Sequence, residues 1–413
     1  MTAPRVLFVA YGGGHVAMLL PVMRALRARW PEVDCRMLAL TTGYKTALAA
    51  GERPLGYHDF LPLFDRAAAL SWGERLIGDN TSPDVGREES LAYLGINYLD
   101  LVAQHGEQGA AERFAATGRH GFHPLHFMRL VLDELQPDLV VATNSPRSEA
   151  AALQAAGERG LPNVGLIDLF ALEGDGYLRR PPPQWTCVLA PAVRERVIAA
   201  GFAPSSVVVT GNPAFDGLQS PANRALAQAF LAERGWQGLT PILWAGQLEP
   251  AGFSATDTDR ARFAREVEEA LRAFVAARAD LALIVRYHPG EWQFFPRRPD
   301  TDRIHFSAPL AETIHPLILA ARAVVVQNST VGLEAAIAGK AVVSMEASVS
   351  VQRSFSLAAL GVSTACHTLA ELPALLDRLL AAPVGTPGAY ASDGQAAHRV
   401  AGVIAHALAL PLH

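Results

Sequence analysis

One stretch of the sequence combines hydroxyl side chains with a carboxylate at spacings that fit a nucleotide. Ser329 and Thr330 follow an apolar run of strand length, and the composition of residues 331–338 indicates a short helix directly after them. The free N–H groups and the dipole at the start of such a helix favour a phosphate. Glu334, one turn further on, cannot serve a phosphate, but its carboxylate can accept hydrogen bonds from a sugar diol. The stretch therefore predicts a nucleotide site.

A second group of polar residues ends other strands in the same half of the chain. Arg286 and His288 lie two positions apart after an apolar run, so on a straight strand they share a face. A cationic pair at the carboxyl end of a strand is a natural clamp for phosphate, although a single histidine there is more often structural. Gly246 and Gln247 end a further strand in the position of a second glycine loop, a signal that fits an ordinary turn equally well. We expect these residues to join Ser329 in binding a nucleotide-linked donor.

A glycine loop opens the first helix near the N-terminus. Gly13 and Gly14, preceded by Gly12, follow the first apolar strand and lead into His15. Consecutive glycines permit close backbone approach and expose helix N–H groups. The loop is neither a G-x-G-x-x-G fingerprint nor a P-loop. Two interpretations stand: a tight turn that needs small residues, or a loop that meets an acceptor or a diphosphate, with His15 as base or donor.

A carboxylate, Asp168, ends the apolar strand at residues 164–167. At the carboxyl edge of a sheet it can deprotonate an acceptor hydroxyl, and the alternative is a helix or turn cap. Three acidic pairs invite a test for metal binding, but none of them directly ends a hydrophobic strand, so no metal is expected. The pairs are Glu173 with Asp175, Asp257 with Asp259, and Asp300 with Asp302.

The elements that must position these residues alternate between strands and helices. Continuous apolar strands separated by helices indicate parallel sheets covered on both faces, and hence an α/β fold. We predict two Rossmann-like domains facing an interdomain cleft. The first spans residues 1–215, with a helical insertion at about 57–121, and the second spans residues 216–388. Residues 389–413 hold a final helix, for which a crossing back to the first domain is left open.

Composition limits the class of protein further. The chain has 413 residues, too many for one ordinary core, and its formal net charge of −5 comes without a basic block, which argues against nucleic-acid binding. Cys35, Cys187 and Cys366 lie far apart in apolar runs, as expected for reduced, buried thiols in a cytoplasmic protein. The first strand begins within a few residues of Met1, and no run of about 18 apolar residues occurs. We therefore expect neither a signal peptide nor a membrane-spanning helix.

The motifs resemble those of the GT-B glycosyltransferase superfamily, and the resemblance covers both halves of the chain. The Gly12–His15 loop with the following Pro21 resembles the glycine loop and helix of the transferase that adds N-acetylglucosamine to the peptidoglycan lipid precursor. His288-Pro289, taken with Ser329-Thr330, resembles the paired motifs of bacterial sialyl-, Kdo- and polyol-phosphate transferases. The nucleotide-binding segment of the superfamily is similar to Ser329-Thr330, Gly332, Glu334-Ala335 and Gly339-Lys340. Its domain-joining element, shared with non-hydrolysing UDP-N-acetylglucosamine 2-epimerases, is similar to Gly211-Asn212-Pro213 with Asp216.

This resemblance implies a metal-independent glycosyltransferase that moves a sugar from a nucleotide-sugar donor to a hydroxyl acceptor in bacterial surface glycan or glycoconjugate synthesis. The loop before Glu334 would hold the diphosphate and Glu334 the ribose, while Asp168 or His15 would remove the acceptor proton. No cofactor beyond the donor substrate is implied. The acceptor would be a glycan, a lipid-linked glycan or a small molecule. It would be met in the cytoplasm or at the inner face of the membrane, so peripheral membrane contact stays open.

Two alternatives remain beside the transferase. A nucleotide-sugar 2-epimerase or hydrolase fits the same scaffold, but the epimerase's Gly-Thr-Arg-Pro-Glu loop is replaced here by the loop after Tyr11, and its His-Val-Glu-Ala-Gly segment by residues 165–169. A non-catalytic sugar-nucleotide-binding protein would have lost the charged groups of the site, whereas this chain keeps them. The sequence therefore puts the transferase first and the epimerase second.

Overall fold

The structure of the protein, a computed structural model, describes residues 3–78, 84–172, 175–254, 258–382, 390 and 392–411. The chain divides into two compact units. The first comprises Met1–Ala214 together with Gln395–His413, and the second comprises Phe215–Gly394. The domain boundary predicted between residues 388 and 389 lies outside the described residues.

A six-stranded sheet forms the centre of the first unit, and each pair of neighbouring strands runs parallel. The strand order is β2-β1-β3-β4-β5-β6. Its inner strands are buried along their length because helices cover both faces, which explains their continuous apolar sequences. The strands are β1 (Arg5–Tyr11), β2 (Asp34–Leu40), β3 (Leu139–Thr143), β4 (Asn163–Leu166), β5 (Trp185–Val188) and β6 (Val207–Val209).

Among the described residues of the first unit, seven α-helices lie before its last strand. Between β2 and β3, the helices α3 and α4 pack so closely that a Cβ atom on Gly95 would collide with a backbone carbonyl of α3. Helix α4 breaks at Gly106, whose φ is 72°. The helices are α1 (Gly13–Arg29), α2 (Thr42–Ala49), α3 (Arg66–Ile77), α4 (Arg87–Thr117), α5 (Leu125–Leu135), α6 (Ser148–Glu158) and α7 (Pro191–Ala199).

The second unit is built around another parallel six-stranded sheet, in the order β12-β11-β10-β7-β8-β9. Its strands are β7 (Thr240–Gly246), β8 (Leu281–Tyr287), β9 (Ile304–Phe306), β10 (Ala323–Val326), β11 (Ala341–Met345) and β12 (Thr364–Cys366). Its helices are α8 (Pro221–Glu233), α9 (Arg262–Ala276), α10 (Ile314–Ala320), α11 (Thr330–Ile337), α12 (Val349–Arg353) and α13 (Leu372–Ala381).

The last helix, α14 (Ala396–Ala407), packs on α1 and joins the core of the first unit. Its Val400 and Ile404 are fully buried there. The second unit has a core of its own, centred on residues such as Trp244 and Leu283. All three cysteines are buried and unpaired, and burial raises the pKa of the Cys35 thiol to about 11. Within the described ranges, no helix is long and apolar enough to cross a bilayer. The prediction of an α/β fold with two parallel sheets is confirmed.

Candidate functional site

The first unit gathers acid–base side chains at the carboxyl ends of three neighbouring strands. Strand β1 ends at Tyr11, and the loop that follows begins with Gly12, whose φ of 82° favours glycine. Helix α1 starts directly afterwards and carries His15 in its first turn. Strand β3 ends at Thr143, and Asp168 follows β4. Because parallel strands end on the same edge of a sheet, residues far apart in sequence meet here.

His15 lies at the centre of this group. Its Nδ1 is 2.5 Å from Thr143 Oγ1 and 3.7 Å from Oε1 of Glu149, while its Nε2 is 3.8 Å from Asp168 Oδ2. The His15 and Asp168 side chains are 25% and 32% exposed, so a ligand can reach both. We call His15, Thr143, Glu149 and Asp168 the first-unit site.

Two asparagines hold Asp168 in place. The Asn144 side-chain amide donates to Asp168 Oδ1 at 3.1 Å, and the Asp168 backbone N–H donates back to Asn144 Oδ1 at 3.2 Å. Asn212 donates its amide to the backbone carbonyl of Asp168 at 2.7 Å. The side-chain Oδ2 that faces His15 is thereby held in a fixed orientation.

Glu149, near the start of α6, is fully buried beneath His15. Its Oε1 accepts a hydrogen bond from the backbone N–H of Tyr11 at 2.5 Å, whereas its Oε2 has no hydrogen-bond partner among the described residues. Burial raises the pKa of the carboxyl group, and the charge of His15 and the Tyr11 N–H only partly oppose that effect. A buried carboxyl with a raised pKa beside a histidine is typical of acid–base sites.

In the second unit, a small cavity of about 40 Å³ lies at the carboxyl ends of β7, β8 and β10. Ser329 is the N-cap of α11, and its hydroxyl accepts from the Val331 N–H at 3.3 Å. We call this cavity the second-unit site. It is lined by Ala245, Gly246, Gln247, Arg286, Tyr287, His288, Pro289, Ser329 and Val331.

Five of the predicted donor-binding residues therefore line one cavity: Gly246, Gln247, Arg286, His288 and Ser329. Thr330 does not line it, because it is the exposed first residue of α11. Gly13 and Gly14 belong to the first unit, where they are the first two residues of α1. Contact with a donor stays a prediction for all of these residues, including the five that line the cavity.

Arg286 has a structural role that its position in the sequence does not reveal. Its guanidinium is buried and donates to Ser307 Oγ at 2.9 Å and to the Pro309 carbonyl at 3.3 Å. Ser307 and Pro309 also line a neighbouring, largely apolar cavity of about 260 Å³. Arg286 thus separates the two cavities. The apolar one is lined by Trp292, Arg297, Phe306, Ser307, Ala308, Pro309, Leu310 and Ala311.

Glu334 lies within α11, one turn beyond Ser329, with its side chain only 13% exposed. Its Oε2 is 3.2 Å from His315 Nε2, but the contact lacks hydrogen-bond geometry, and this buried oxygen has no hydrogen-bond partner in the described part of the chain. A misaligned contact of this length contributes little, since a hydrogen bond weakens steeply away from linearity. That oxygen is itself buried, so the 13% of the side chain that is exposed lies on other atoms, and contact of Glu334 with a ribose stays a prediction.

One member of each acidic pair has a protein partner. Asp175 accepts from Tyr177 N at 2.9 Å, Asp259 accepts from Ala261 N at 3.2 Å, and Asp300 contacts His305 Nδ1 at 2.7 Å. Glu173 and Asp257 lie outside the described residues. No three His, Cys, Asp or Glu side chains of the described ranges are grouped closely enough to hold a metal ion.

Sequence reasoning named His15 and Asp168 as candidates but did not name the buried residues that contact them. Thr143, Glu149 and the positioning role of Asn212 follow only from the fold, because their partners come from other strands. Among the residues around His15 and Asp168, only Asn144 could be singled out from the sequence, because it follows an apolar strand as Asp168 does.

Two parallel α/β units, each with polar groups at the carboxyl ends of its strands, define a two-domain α/β protein of GT-B type. The sequence model for UDP-N-acetylglucosamine 2-epimerase matches residues 183–405, more than half of the chain. The chain belongs to this family.

Solved structures support the same fold. The UDP-GlcNAc 2-epimerase of Methanocaldococcus jannaschii is similar with a TM-score of 0.62 at 12% identity, covering 97% of this chain and 99% of its own. The Neisseria meningitidis UDP-GlcNAc 2-epimerase, bound to UDP-GlcNAc, has a TM-score of 0.57 at 12% identity and covers 97% and 100%. The wall teichoic acid polymerase TagF has a TM-score of 0.54 at 9% identity and covers 98% and 89%. A comparison with curated protein sequences finds no match.

Family membership changes the order of the functional hypotheses. The sequence put a glycosyltransferase first and a nucleotide-sugar 2-epimerase second, and the family match favours the epimerase. Resemblance to a glycosyltransferase superfamily is explained by the common fold, which TagF shares with the epimerases. Because one fold hosts many functions, the choice between them depends on the chemistry of the site.

Proposed function

We propose that this protein is a nucleotide-sugar 2-epimerase that inverts C2 of an N-acetylhexosamine carried on UDP. The observation that carries the proposal is the pairing of His15 with Asp168 above the buried Glu149, in a member of this family. The two reactive groups belong to the first unit.

The chemistry of C2 inversion matches this set of residues. A proton must leave C2 from one face of the sugar and return to the other, so the reaction needs groups that accept and donate protons. His15 Nε2 and Asp168 Oδ2 lie 3.8 Å apart and form one acid–base pair, which can serve one face of the sugar, while a separate donor must serve the other face. The nucleotide is also the substrate's leaving group, and the resulting negative charge needs fixed donors.

The second unit supplies groups for the nucleotide. His288 and the start of α11 at Ser329 would meet the diphosphate, and Glu334 would accept from the ribose hydroxyls. The apolar cavity beside Trp292 lies on the other side of Arg286. Its apolar lining would suit the nucleotide base. Solved relatives support UDP as the nucleotide, because one is bound to UDP-GlcNAc and another, from S. aureus, is a co-structure with UDP.

The experiment that tests this function uses the nucleotide sugar alone. Purified protein is incubated with UDP-GlcNAc without any acceptor, and the products are separated by chromatography. We expect the C2 epimer to accumulate until it reaches equilibrium with the substrate. An unchanged substrate, or release of UDP and free sugar without an epimer, would contradict epimerisation. The second result would indicate a hydrolase.

A glycosyltransferase is the second candidate, and the similarity to TagF is the observation that favours it. In that reaction Asp168 or His15 would deprotonate an acceptor hydroxyl, and UDP would leave from C1. A transferase consumes the nucleotide sugar only when an acceptor is added, so the same incubation separates the two. A non-catalytic binding protein would bind UDP and leave the sugar unchanged with or without an acceptor.

A further inference from the structure

A hydroxyl and a carboxyl group lie in a row behind His15, on the side away from Asp168. Thr143 Oγ1 is 2.5 Å from His15 Nδ1, and it lies 3.4 Å from Oε1 of Glu149, to which it donates. The second contact is longer than the usual 2.5–3.0 Å for two oxygens, so the Thr143–Glu149 link is the weaker of the two. Both Thr143 and Glu149 are fully buried.

The direction of hydrogen bonding along this row is set by its buried end. The backbone N–H of Tyr11 can only donate, so Glu149 Oε1 acts as an acceptor at 2.5 Å. That oxygen is therefore also an acceptor for Thr143. A hydroxyl has one hydrogen to donate. If Thr143 gives it to Glu149, its lone pairs must face His15 Nδ1, which then has to carry the hydrogen of that contact.

We propose that Thr143 and Glu149 are positioning residues that hold neutral His15 as the Nδ1–H tautomer, leaving the Nε2 lone pair as the proton acceptor beside Asp168. The inference deepens the proposed function and rests on it for its meaning in catalysis. An unrestrained neutral histidine exchanges between both tautomers, and in one of them Nε2 has no lone pair to offer. The row removes that non-productive form.

The proton balance of the catalytic step follows directly. A substrate proton moves to His15 Nε2, and the electron pair of the broken bond stays on the substrate. The imidazolium that forms keeps its Nδ1–H bond to Thr143. Its positive charge lies between Glu149 at 3.7 Å and Asp168 at 3.8 Å. Reprotonation of C2 takes place on the opposite face of the sugar and is the task of a separate acid, while loss of the Nε2 proton to solvent water restores neutral His15.

The test reads the tautomer directly in the full-length protein. Two-bond correlation of ring protons with ring nitrogens in 15N-labelled protein distinguishes Nδ1–H from Nε2–H. The chain has 13 histidines, and loss of one signal in His15→Gln identifies the correct one. At alkaline pH we expect native His15 to show the Nδ1–H pattern. An Nε2–H pattern in the native protein would overturn the proposal, and this result needs no variant that has to fold.

Matched variants then test the role of the hydroxyl. Thr143→Ser keeps the hydroxyl and should keep the Nδ1–H pattern, whereas Thr143→Val has the same shape without it and should show both tautomers. Persistence of Nδ1–H in Thr143→Val would contradict the proposal. If the valine variant does not fold, Glu149→Gln provides the second comparison, since an amide is a weaker acceptor for Thr143 and should also admit the other tautomer.

Kinetics connects the tautomer to turnover. Thr143→Val should lower kcat about tenfold or more with KM little changed, and Thr143→Ser should restore it. The spectroscopic result does not depend on any substrate. Suppose that UDP-GlcNAc is not epimerised, but that the Nδ1–H tautomer persists in Thr143→Ser and is lost in Thr143→Val. The positioning of His15 is then supported, and only the proposed epimerase reaction is wrong.

Discussion

Replacement of Glu334 by glutamine tests the nucleotide-binding role of the second unit. Its carboxylate is mostly buried, and Oε2 has no hydrogen-bond partner among the described residues although His315 lies 3.2 Å away. In the proposed complex, the Glu334 carboxylate accepts from a ribose hydroxyl. Glutamine keeps the size of the side chain but removes its charge and offers an amide in place of one acceptor.

The magnitude follows from the energy of hydrogen bonds to charged groups. Such a bond contributes about 1.5–3 kcal/mol, so its loss weakens binding by about 10-fold to 150-fold. The unliganded protein should not be destabilised, because glutamine keeps the volume of the side chain and the buried Oε2 makes no hydrogen bond that the substitution could break. We therefore expect UDP affinity to fall while the melting temperature stays level or rises.

Isothermal titration calorimetry measures the affinity for UDP, and calorimetric unfolding measures the melting temperature. Glu266→Gln is the matched control, since it makes the same substitution on a side chain of α9 that is 49% exposed. Its affinity for UDP should equal that of the native protein. If Glu334→Gln bound UDP within about twofold of the native affinity, the assignment of ribose to this residue would be wrong.

Three further predictions concern the reaction, the packing and the response to acid. Asp168→Asn should keep the fold and lower kcat by about 10²-fold to 10⁴-fold, the usual contribution of a general acid or base, in the epimerase assay. Gly95→Ala should lower the melting temperature, at a cost of about 1–3 kcal/mol, because its Cβ would collide with a carbonyl of α3. The control Gly402→Ala has no atom within 4 Å of its Cβ and should be neutral or stabilising. Burial would raise the pKa of Glu312, but hydrogen bonds and the charge of His305 lower it to about 2. Its contribution to stability is therefore present above the ordinary pKa of 4.5 and is lost as the pH falls from there toward 2. Glu312→Gln should make the loss of stability in acid shallower, as measured by urea unfolding over a pH series.

Each of these predictions has a result that would contradict it. An Asp168→Asn variant with near-native turnover would move the acid–base role to another residue. Equal melting temperatures for Gly95→Ala and Gly402→Ala would mean that α3 and α4 separate at no cost. A Glu312→Gln variant with the same acid profile as the native protein would show that its carboxylate is not stabilised by folding.

Local sequence patterns predicted those features of the structure that depend on one residue and on the strand or helix to which it belongs. Ser329 follows an apolar strand and caps the next helix, as its hydroxyl and position indicate. Asp168 follows a buried strand, so its place at the edge of the sheet is predictable from the parallel architecture. The alternation of strands and helices likewise predicted the two sheets of the fold.

Contacts across the sheet could not be predicted in this way. Glu149 lies in the first turn of an alanine-rich helix, where a carboxylate usually interacts with the helix dipole. Nothing local indicates that its partner is the N–H of Tyr11, 138 residues earlier in the chain. Arg286 is the opposite case, because its position after an apolar run suggested a free cation, yet its guanidinium is buried against Ser307.

The most direct test of the proposed function follows the C2 hydrogen of UDP-GlcNAc in heavy water. Inversion at C2 requires that its proton be removed and another be supplied through groups such as His15 and Asp168. Proton NMR of the native protein with UDP-GlcNAc in D₂O should therefore show loss of the C2 proton signal, in step with formation of the epimer. Retention of that proton while the nucleotide sugar is consumed would contradict epimerisation and point to hydrolysis or transfer at C1.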